Sequence, residues 1–439
     1  MSSVPETVES ARELLWRHGS NSRNLCWNGR VDPGKEEPMF EIRGRYATAL
    51  VMIDQIDPAT RTQIQDFCNA KMFAGLYIAI MPDCHKGAGA VIGFTCPVGE
   101  YIAPNIVGVD INCGILAVRI GSIPGDPDVW RPEIDTFIRS YIPIGTGKVN
   151  SSPAADIPTG LAEQVRALAK KIDIESGYAL RSLGNLGSGN HFIELGKEDA
   201  EHGNGYWLFV HTGSRNFGLQ VANYHTGRAK AWSRGKPGLD VTDLYCLPVD
   251  GEGQEYLEDM AVAAAFATEN RRQIADMIVR GFFGLTKPDR VVESVHNYLN
   301  PKDRIIRKGA ISAEPGQELV IPLNNEDGVI LGRGKGNPDW NCSAPHGAGR
   351  ILSRSKAKET LSLEDYAQRL AKAGVWSSSV NASTLEESPR AYKPAQAIID
   401  AIGPTVEIEQ IVRPVYNLKG DNQERKRKKA SVSAEPTEI

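Results

Sequence analysis

Several large protein classes are excluded by what this chain lacks. No window approaches 18 consecutive apolar residues, so no transmembrane helix is expected. The opening MSSVPETVESARELLWRHGS carries acidic groups early and none of the apolar run that a signal peptide needs. Seven cysteines is an odd number; they are scattered, and no CxxC pair occurs. In a chain of 439 residues that pattern predicts reduced thiols in a cytoplasm, not a disulfide frame. Positive charge is not in excess either. Lys and Arg total 50 against 54 Asp and Glu, a net charge of -4, so any polyanion must be met by a local patch and not by bulk electrostatics. Three nucleotide devices are also missing. IPIGTGKVN has Ile142 where a P-loop requires its first glycine and Val149 where it requires Ser or Thr. GNLGSGNHF and GRGKGNPDW do not complete a dinucleotide fingerprint, and no Lys-x-Asp-Gly run supports a lysine-nucleotidyl ligase. Nucleotide chemistry here needs other residues.

Glycine, by contrast, is abundant: 43 of 439 residues, against a background of roughly 7%. The excess falls in short runs beside His, Asp and Cys, where backbone must approach something closely. Residues 1 to 40 read as a polar lead-in broken by Pro5, Pro33 and Pro38. From Ala47 to Ile120 short apolar runs alternate with Gly and Pro, a strand-and-loop pattern. Leu161, Val165, Leu168 and Ile172 fall at helical spacing after Pro158. HFIEL at 191–195 and YWLFVH at 206–211 predict strands, 254–280 predicts a long helix, and 305–333 is strand-rich. After Gly420 the composition turns to DNQERKRKKASVSAEPTEI, a basic tail with no expected fold. Helices and strands without a regular βαβ period predict an α+β protein with a large central sheet assembly.

The chemistry concentrates in the histidines, of which there are eight. His85 in MPDCHKGAGAVIG, His191 in LGSGNHFIEL, His211 in YWLFVHTGSR and His346 in APHGAGR sit among small residues. His296 lies in SVHNYLN, and VGVDINCG supplies Asp110 and Cys113. Imidazole, carboxylate and thiolate are ordinary ligands of first-row metals. Each also has a plain structural reading: a histidine hydrogen-bonded at a strand end, a buried thiol, an aspartate closing a turn. His18, His202 and His225 keep that reading. The joint occurrence of the others favours a metal site, although spacing alone does not bring them together.

VGVDINCG, LGNLGSGNHFIEL, HTGSRNFG, HNYLN, RKGAISAEPG, APHGAGRILSRSKAK, ESPRAYKP and a final Leu418-Lys419-Gly420 run in one order from about residue 77 to 420. In this combination the chain resembles the RtcB-type RNA ligases of tRNA splicing and RNA repair. The resemblance implies one catalytic domain over about residues 41–420. It implies that Asp110, Cys113, His191, His211 and His296 hold two Mn²⁺ ions, with Cys113 bridging. His346 would attack the α-phosphate of GTP and carry GMP. The nucleotide pocket would draw on Asn190, His191, Phe192, Ile193, Glu194, His296, Asn297, Pro322, Leu323, Asn324, Asn325, Val329, Gly347, Ala348, Gly349 and Lys419. Tyr392 is a candidate for stacking on guanine, and Arg215, Lys308 and Arg350 for contacts to RNA phosphates.

The implied substrate is RNA with a 3′-phosphate or 2′,3′-cyclic phosphate end and a 5′-hydroxyl end, tRNA among the candidates, with no membrane partner. Nothing in the sequence identifies an activating protein partner. One segment departs from the family pattern. Where relatives carry Pro-Gly-Ser-Met-Gly, this chain reads Pro322-Leu323-Asn324-Asn325-Glu326. A bulky Leu and an acidic Glu are expected there to hinder and repel a triphosphate. That departure keeps two alternatives open: a metal-dependent cyclic phosphodiesterase or nucleotidyl-capping enzyme without sealing, and a catalytically silent RNA-binding protein.

Overall fold

A computed structural model describes residues 39–239, 241 and 244–420. The expected lead-in up to residue 38 and the basic tail from residue 421 lie outside the described residues. In chain order the strands are β1 (Phe40–Arg43), β2 (Thr48–Val51), β3 (Tyr77–His85), β4 (Ile92–Pro97), β5 (Tyr101–Ile102), β6 (Gly114–Gly121), β7 (Phe192–Lys197), β8 (Tyr206–Thr212) and β9 (Leu247–Pro248). There follow β10 (Val291–Val295), β11 (Tyr298–Leu299), β12 (Ile305–Lys308), β13 (Ala310–Ser312), β14 (Glu318–Asn324), β15 (Gly328–Gly334), β16 (Ser343–Pro345) and β17 (Val406–Lys419). The sheet assembly is divided. One six-stranded sheet runs β1-β2-β3-β4-β12-β11, and a seven-stranded sheet runs β10-β6-β8-β7-β17-β15-β14. Two-stranded ladders β13-β16 and β5-β9 complete it. With the helices between and around them, the architecture is α+β.

β8 explains why the seven-stranded sheet is central. Every residue of YWLFVHT is buried, which a strand covered on one face cannot achieve. Leu208 and Val210 pack with Trp130, Ile134, Ile274 and Ile278 from two helices on one face. Trp207 and Phe209, the alternate positions, pack with Val292, Val320 and Val412 on the other. The helix Gln254–Gly281 follows the expected 254–280 reading, with Tyr256, Met260, Ala263, Phe266, Ala267, Ile274 and Ile278 buried at helical spacing. The predicted helix after Pro158 is Thr159–Lys171.

The six-stranded sheet is anchored by a triangle of rings. Phe67, Phe73 and Phe94 lie 5.2 to 5.8 Å apart, centroid to centroid. Phe67 comes from the helix Pro58–Cys68, whose start is fixed by the Asp57 carboxylate accepting from the Ala59 and Thr60 amides. β1 and β2 both belong to this sheet, β1 pairing antiparallel with β2 and β2 parallel with β3. Among the described residues no helix is long and apolar enough to cross a membrane.

Candidate active site

The seven-stranded sheet lines up the metal-ligand candidates at one end of neighbouring strands. Cys113 immediately precedes β6, His211 ends β8 next to Thr212, His191 immediately precedes β7, and His296 immediately follows β10. Register does the rest: Val295 pairs with Gly114, Gly114 with Thr212, and His211 with Phe192. The His296 amide also donates to the Cys113 carbonyl at 2.7 Å. Asp110 reaches the same point from the turn before Cys113, where Asn112 adopts a φ of 56°. Its Oδ1 accepts from the Ser214 amide at 3.1 Å, in space that a Cβ on Gly213 would fill.

Two triads result, and they share a thiol. Asp110, Cys113 and His191 have ligand atoms within 4.8 Å of one another, as do Cys113, His211 and His296. Cys113 Sγ lies 3.4 Å from His191 Nε2 and 3.3 Å from His211 Nε2. His191 Nε2 is 3.0 Å from Asp110 Oδ2, and His211 Nε2 is 3.4 Å from His296 Nε2. Burial holds all three imidazoles below their ordinary pKa, so they present the neutral form that binds metal. His191 Nδ1 donates to the Leu186 carbonyl at 3.0 Å, which aims Nε2 at the cluster. Burial would raise the Asp110 carboxyl, but the hydrogen bond to His191 and the nearby Arg215 charge hold it well below its usual range. Burial and the Asp110 charge push the Cys113 thiol well above its ordinary value. One carboxylate, three neutral imidazoles and one thiol shared by both groups fit two divalent cations with a thiolate bridge.

His346 stands beside the second triad, its ring centroid 4.6 Å from that of His296. It follows β16, whose Pro345 pairs with Ala310 on β13. Its Nδ1 donates to Asp83 Oδ2 at 2.7 Å, and its amide donates to the same oxygen at 3.2 Å. Asp83 is fully buried in β3 of the six-stranded sheet. A Cβ on Gly349 (φ +74°) would meet the Asp83 carbonyl at 2.1 Å, so only glycine lets the loop close over it. The aspartate therefore fixes the tautomer of His346 and leaves Nε2 as the free nitrogen. Sequence reasoning picks out Pro82-Asp83-Cys84-His85-Lys86-Gly87-Ala88-Gly89 as a motif but assigns Asp83 no role. His85 itself, held at about 4 by burial, lines the cleft with Nδ1 on the Asp83 carbonyl.

A cleft opens in front of His346. Asn190, Phe192, Glu194, Pro322, Leu323, Asn324, Asn325, Gly347, Ala348, Gly349, Tyr392 and Lys419 line it, together with Arg350 and Arg354. Glu194 Oε2 accepts from Asn417 Nδ2 at 2.7 Å, whereas its buried Oε1 has no partner. Burial raises Glu194 to about 7 despite Asn417 and Lys419. The Lys419 ammonium lies 4.6 Å from the Phe192 ring centroid and 3.4 Å from Glu387 Oε2. Sequence reasoning also missed Glu387. Fully buried, it ties Lys419, Arg350 and the Tyr392 hydroxyl together.

Comparison with known proteins shows the family. The family model described as "tRNA-splicing ligase RtcB" matches residues 63–420. The chain belongs to the RtcB family. Among relatives of the family, the RNA-splicing ligase RtcB of Escherichia coli K12 is 31% identical over 388 residues, covering 80% of this chain and 92% of its own. The tRNA-splicing ligase RtcB of Aeropyrum pernix is 29% identical over 429 residues, covering 78% and 88%. That of Pyrobaculum aerophilum is 27% identical over 440 residues, covering 80% and 90%.

Several expectations drawn from the RtcB resemblance are relocated by the structure. Ile193 and Val329 are buried in hydrophobic clusters and do not line the cleft. Asn297 does not line it either: its Nδ2 donates to the Asp110 carbonyl and its Oδ1 accepts from the Gly309 amide, clamping the ligand turn. Lys308 is buried, and its ammonium donates to the Val107 carbonyl at 3.2 Å. Arg350 is spent on Glu387, on the carbonyls of Leu352 and Glu386, and against the Tyr392 ring. Arg215 points Nη1 at His191 Nδ1, 2.9 Å away. In the divergent 322–326 segment, Leu323 stays at the cleft wall and Glu326 does not line it. Leu323 packs with Ile321, Ile330 and Ile398, and Glu326 turns away from the cleft onto Arg369 at 2.5 Å.

Proposed function

We propose that this protein is a GTP- and Mn²⁺-dependent RNA ligase joining 3′-phosphate or 2′,3′-cyclic phosphate ends to 5′-hydroxyl ends. The observation that carries the reading is the pair of triads sharing Cys113 beside a histidine whose Nδ1 is held by a buried aspartate. Asp110, Cys113 and His191 would hold one Mn²⁺, and Cys113, His211 and His296 the other. Bound there, the ions supply Lewis-acid charge neutralisation on phosphate oxygens.

His346 is the nucleophile. With Nδ1–H committed to Asp83, Nε2 presents a lone pair to the α-phosphorus of GTP. An N–P bond forms, the bond from that phosphorus to the bridging oxygen breaks, and pyrophosphate leaves. Asp83 stabilises the positive charge that develops on the ring. The phosphoramidate then passes GMP to an oxygen of the RNA 3′-phosphate, releasing His346. The 5′-hydroxyl attacks the 3′-phosphorus, its proton is lost, and GMP departs, so the junction phosphate comes from the 3′ end. A cyclic end must first be opened by water to the 3′-phosphate. A 5′-phosphate end offers no hydroxyl to attack and is not joined.

Guanine follows from the acceptor at the back of the cleft. The unpartnered Glu194 Oε1 suits the N1–H and exocyclic amine of guanine, and the Lys419 ammonium suits its carbonyl. Adenine would set a ring lone pair against the carboxylate. Arg354, whose closest approach to a carboxylate is 3.9 Å from Glu386, is the cleft arginine available to a phosphate. The position of Glu326 on Arg369 removes the charge argument for an enzyme that cannot seal. The test is incubation with α-labelled GTP and Mn²⁺. Acid-labile label should appear on the wild type and not on His346→Ala, and label that persists on His346→Ala rejects the mechanism.

A further inference from the structure

The helix Gln254–Gly281 carries an adjacent polar pair, Asn270 and Arg271, neither with any solvent exposure. A guanidinium removed from water costs several kcal/mol unless its donors are matched. Helix packing alone does not call for it.

The matching is specific. Arg271 Nη1 donates to the carbonyls of Asn112 (2.7 Å) and Thr212 (2.9 Å). Its Nε donates to Glu293 Oε1 at 2.7 Å, and its Nη2 to Thr268 Oγ1 at 3.2 Å. Asn112 lies between Asp110 and Cys113, Thr212 follows His211, and Glu293 is three residues before His296. Asn270 takes the remaining segment. Its Oδ1 accepts from the Asn185 amide and its Nδ2 donates to the Asn185 carbonyl, both at 3.1 Å. The same Nδ2 reaches the Gly213 carbonyl at 3.1 Å and Thr212 Oγ1 at 3.3 Å. The Thr212 hydroxyl in turn donates to the Leu186 carbonyl, the acceptor that orients His191. Two neighbouring residues of one helix thus touch every chain segment that delivers a ligand to the two triads, without touching the triads' ligand atoms.

We propose that Asn270 and Arg271 are positioning residues of the two-metal centre, setting the spacing of its ligand-bearing segments. This rests on the reading of those segments as metal ligands. A lysine cannot replace Arg271, because one nitrogen on a flexible stem cannot serve the Asn112, Thr212 and Glu293 directions together.

The experiment titrates Mn²⁺ calorimetrically into the full-length protein, with a thermal melt of each variant to establish that it is folded. Folded Arg271→Lys should bind Mn²⁺ about 10- to 100-fold more weakly than wild type. Its covalent labelling by GTP should recover when Mn²⁺ is raised by the same factor, which a merely structural lesion would not allow. A folded Arg271→Lys that binds both ions like wild type overturns the inference. Should Arg271→Lys fail to fold, Thr268→Val reads the same link, since that hydroxyl accepts from both Arg271 and Asn112 Nδ2. Unchanged Mn²⁺ affinity in folded Thr268→Val then overturns it. A wild type that takes up no divalent cation overturns the metal centre itself, a result distinct from a wild type that binds alongside an unaffected variant.

Discussion

At the scale of residues, the account turns on a proton held in place. His346 can attack through Nε2 only while Nδ1 keeps its hydrogen, and the Asp83 carboxylate at 2.7 Å holds it there. Asp83→Asn conserves volume but turns a charged acceptor into an amide that can present a donor instead. Covalent GMP formation should fall by about 10²- to 10⁴-fold with little change in the melting temperature. Undiminished labelling of Asp83→Asn would remove Asp83 from the mechanism. Glu194 gives a pH test. Burial raises its folded value to about 7 from an ordinary 4.5, so the folded protein favours the protonated acid. The stability this group subtracts grows as pH rises from the ordinary carboxylate range to about 7 and is constant above it. If the carboxylate form of Glu194 recognises guanine as proposed, GTP affinity should climb with pH up to about 7 and then level off. Equilibrium binding of GTP across that interval checks this; the slope should vanish in Glu194→Gln, and a flat wild-type profile contradicts the role of Glu194.

At the scale of elements, the proposed metal site depends on strand register. Gly114, next to Cys113, pairs with Val295 at the start of the β6–β10 ladder, and a Cβ there would meet the Ser294 carbonyl at 2.6 Å and Val295 Cα at 2.9 Å. Gly114→Ala should therefore push β10 away, carrying His296 with it and loosening the Cys113–His211–His296 triad more than the other. The expected outcome is a Mn²⁺ stoichiometry falling from two towards one, counted by metal analysis of the dialysed protein; two tightly held ions in Gly114→Ala would contradict it. This register was only partly legible in the sequence. The donors stood out because His, Asp and Cys are rare and flanked by small residues. The strands at 192–197 and 206–212 were legible as the apolar runs 191–195 and 206–211, the helix Thr159–Lys171 from apolar spacing, and the helix at 254–281 from its Ala-, Glu- and Arg-rich composition over 254–280. The helix Arg215–Ser233 was not foreseen, because Gly218, Gly227 and buried His225 interrupt its pattern. Asp83 and His346 are 263 residues apart, and β4 pairs with β12 through Phe94 and Lys308; no local pattern encodes such partners. The placement of Glu326 was illegible for the same reason, since it depends on Arg369 far along the chain.

At the scale of the whole molecule, the two sheets divide the labour. The six-stranded sheet supplies Asp83, the seven-stranded sheet supplies the ligand row and, through β17, Lys419, and His346 lies where they meet. The chain leaves this meeting point at Gly420, whose amide donates to the His191 carbonyl at 3.1 Å, and the family match ends at the same residue. In the sequence the basic run Arg425 to Lys429 begins five residues after Gly420. Truncation after Gly420 should flatten the salt dependence of RNA binding, by roughly 0.7 in log–log slope per lost phosphate contact, and leave GTP labelling intact. Loss of labelling in that truncation would contradict an auxiliary role for the tail. The decisive measurement follows the phosphate itself. RNA carrying a labelled 3′-phosphate is incubated with 5′-hydroxyl RNA, GTP, Mn²⁺ and the protein. The account predicts that the label ends in a phosphatase-resistant internal linkage with wild type and never with His346→Ala, whereas label released as inorganic phosphate while the ends are sealed would contradict it.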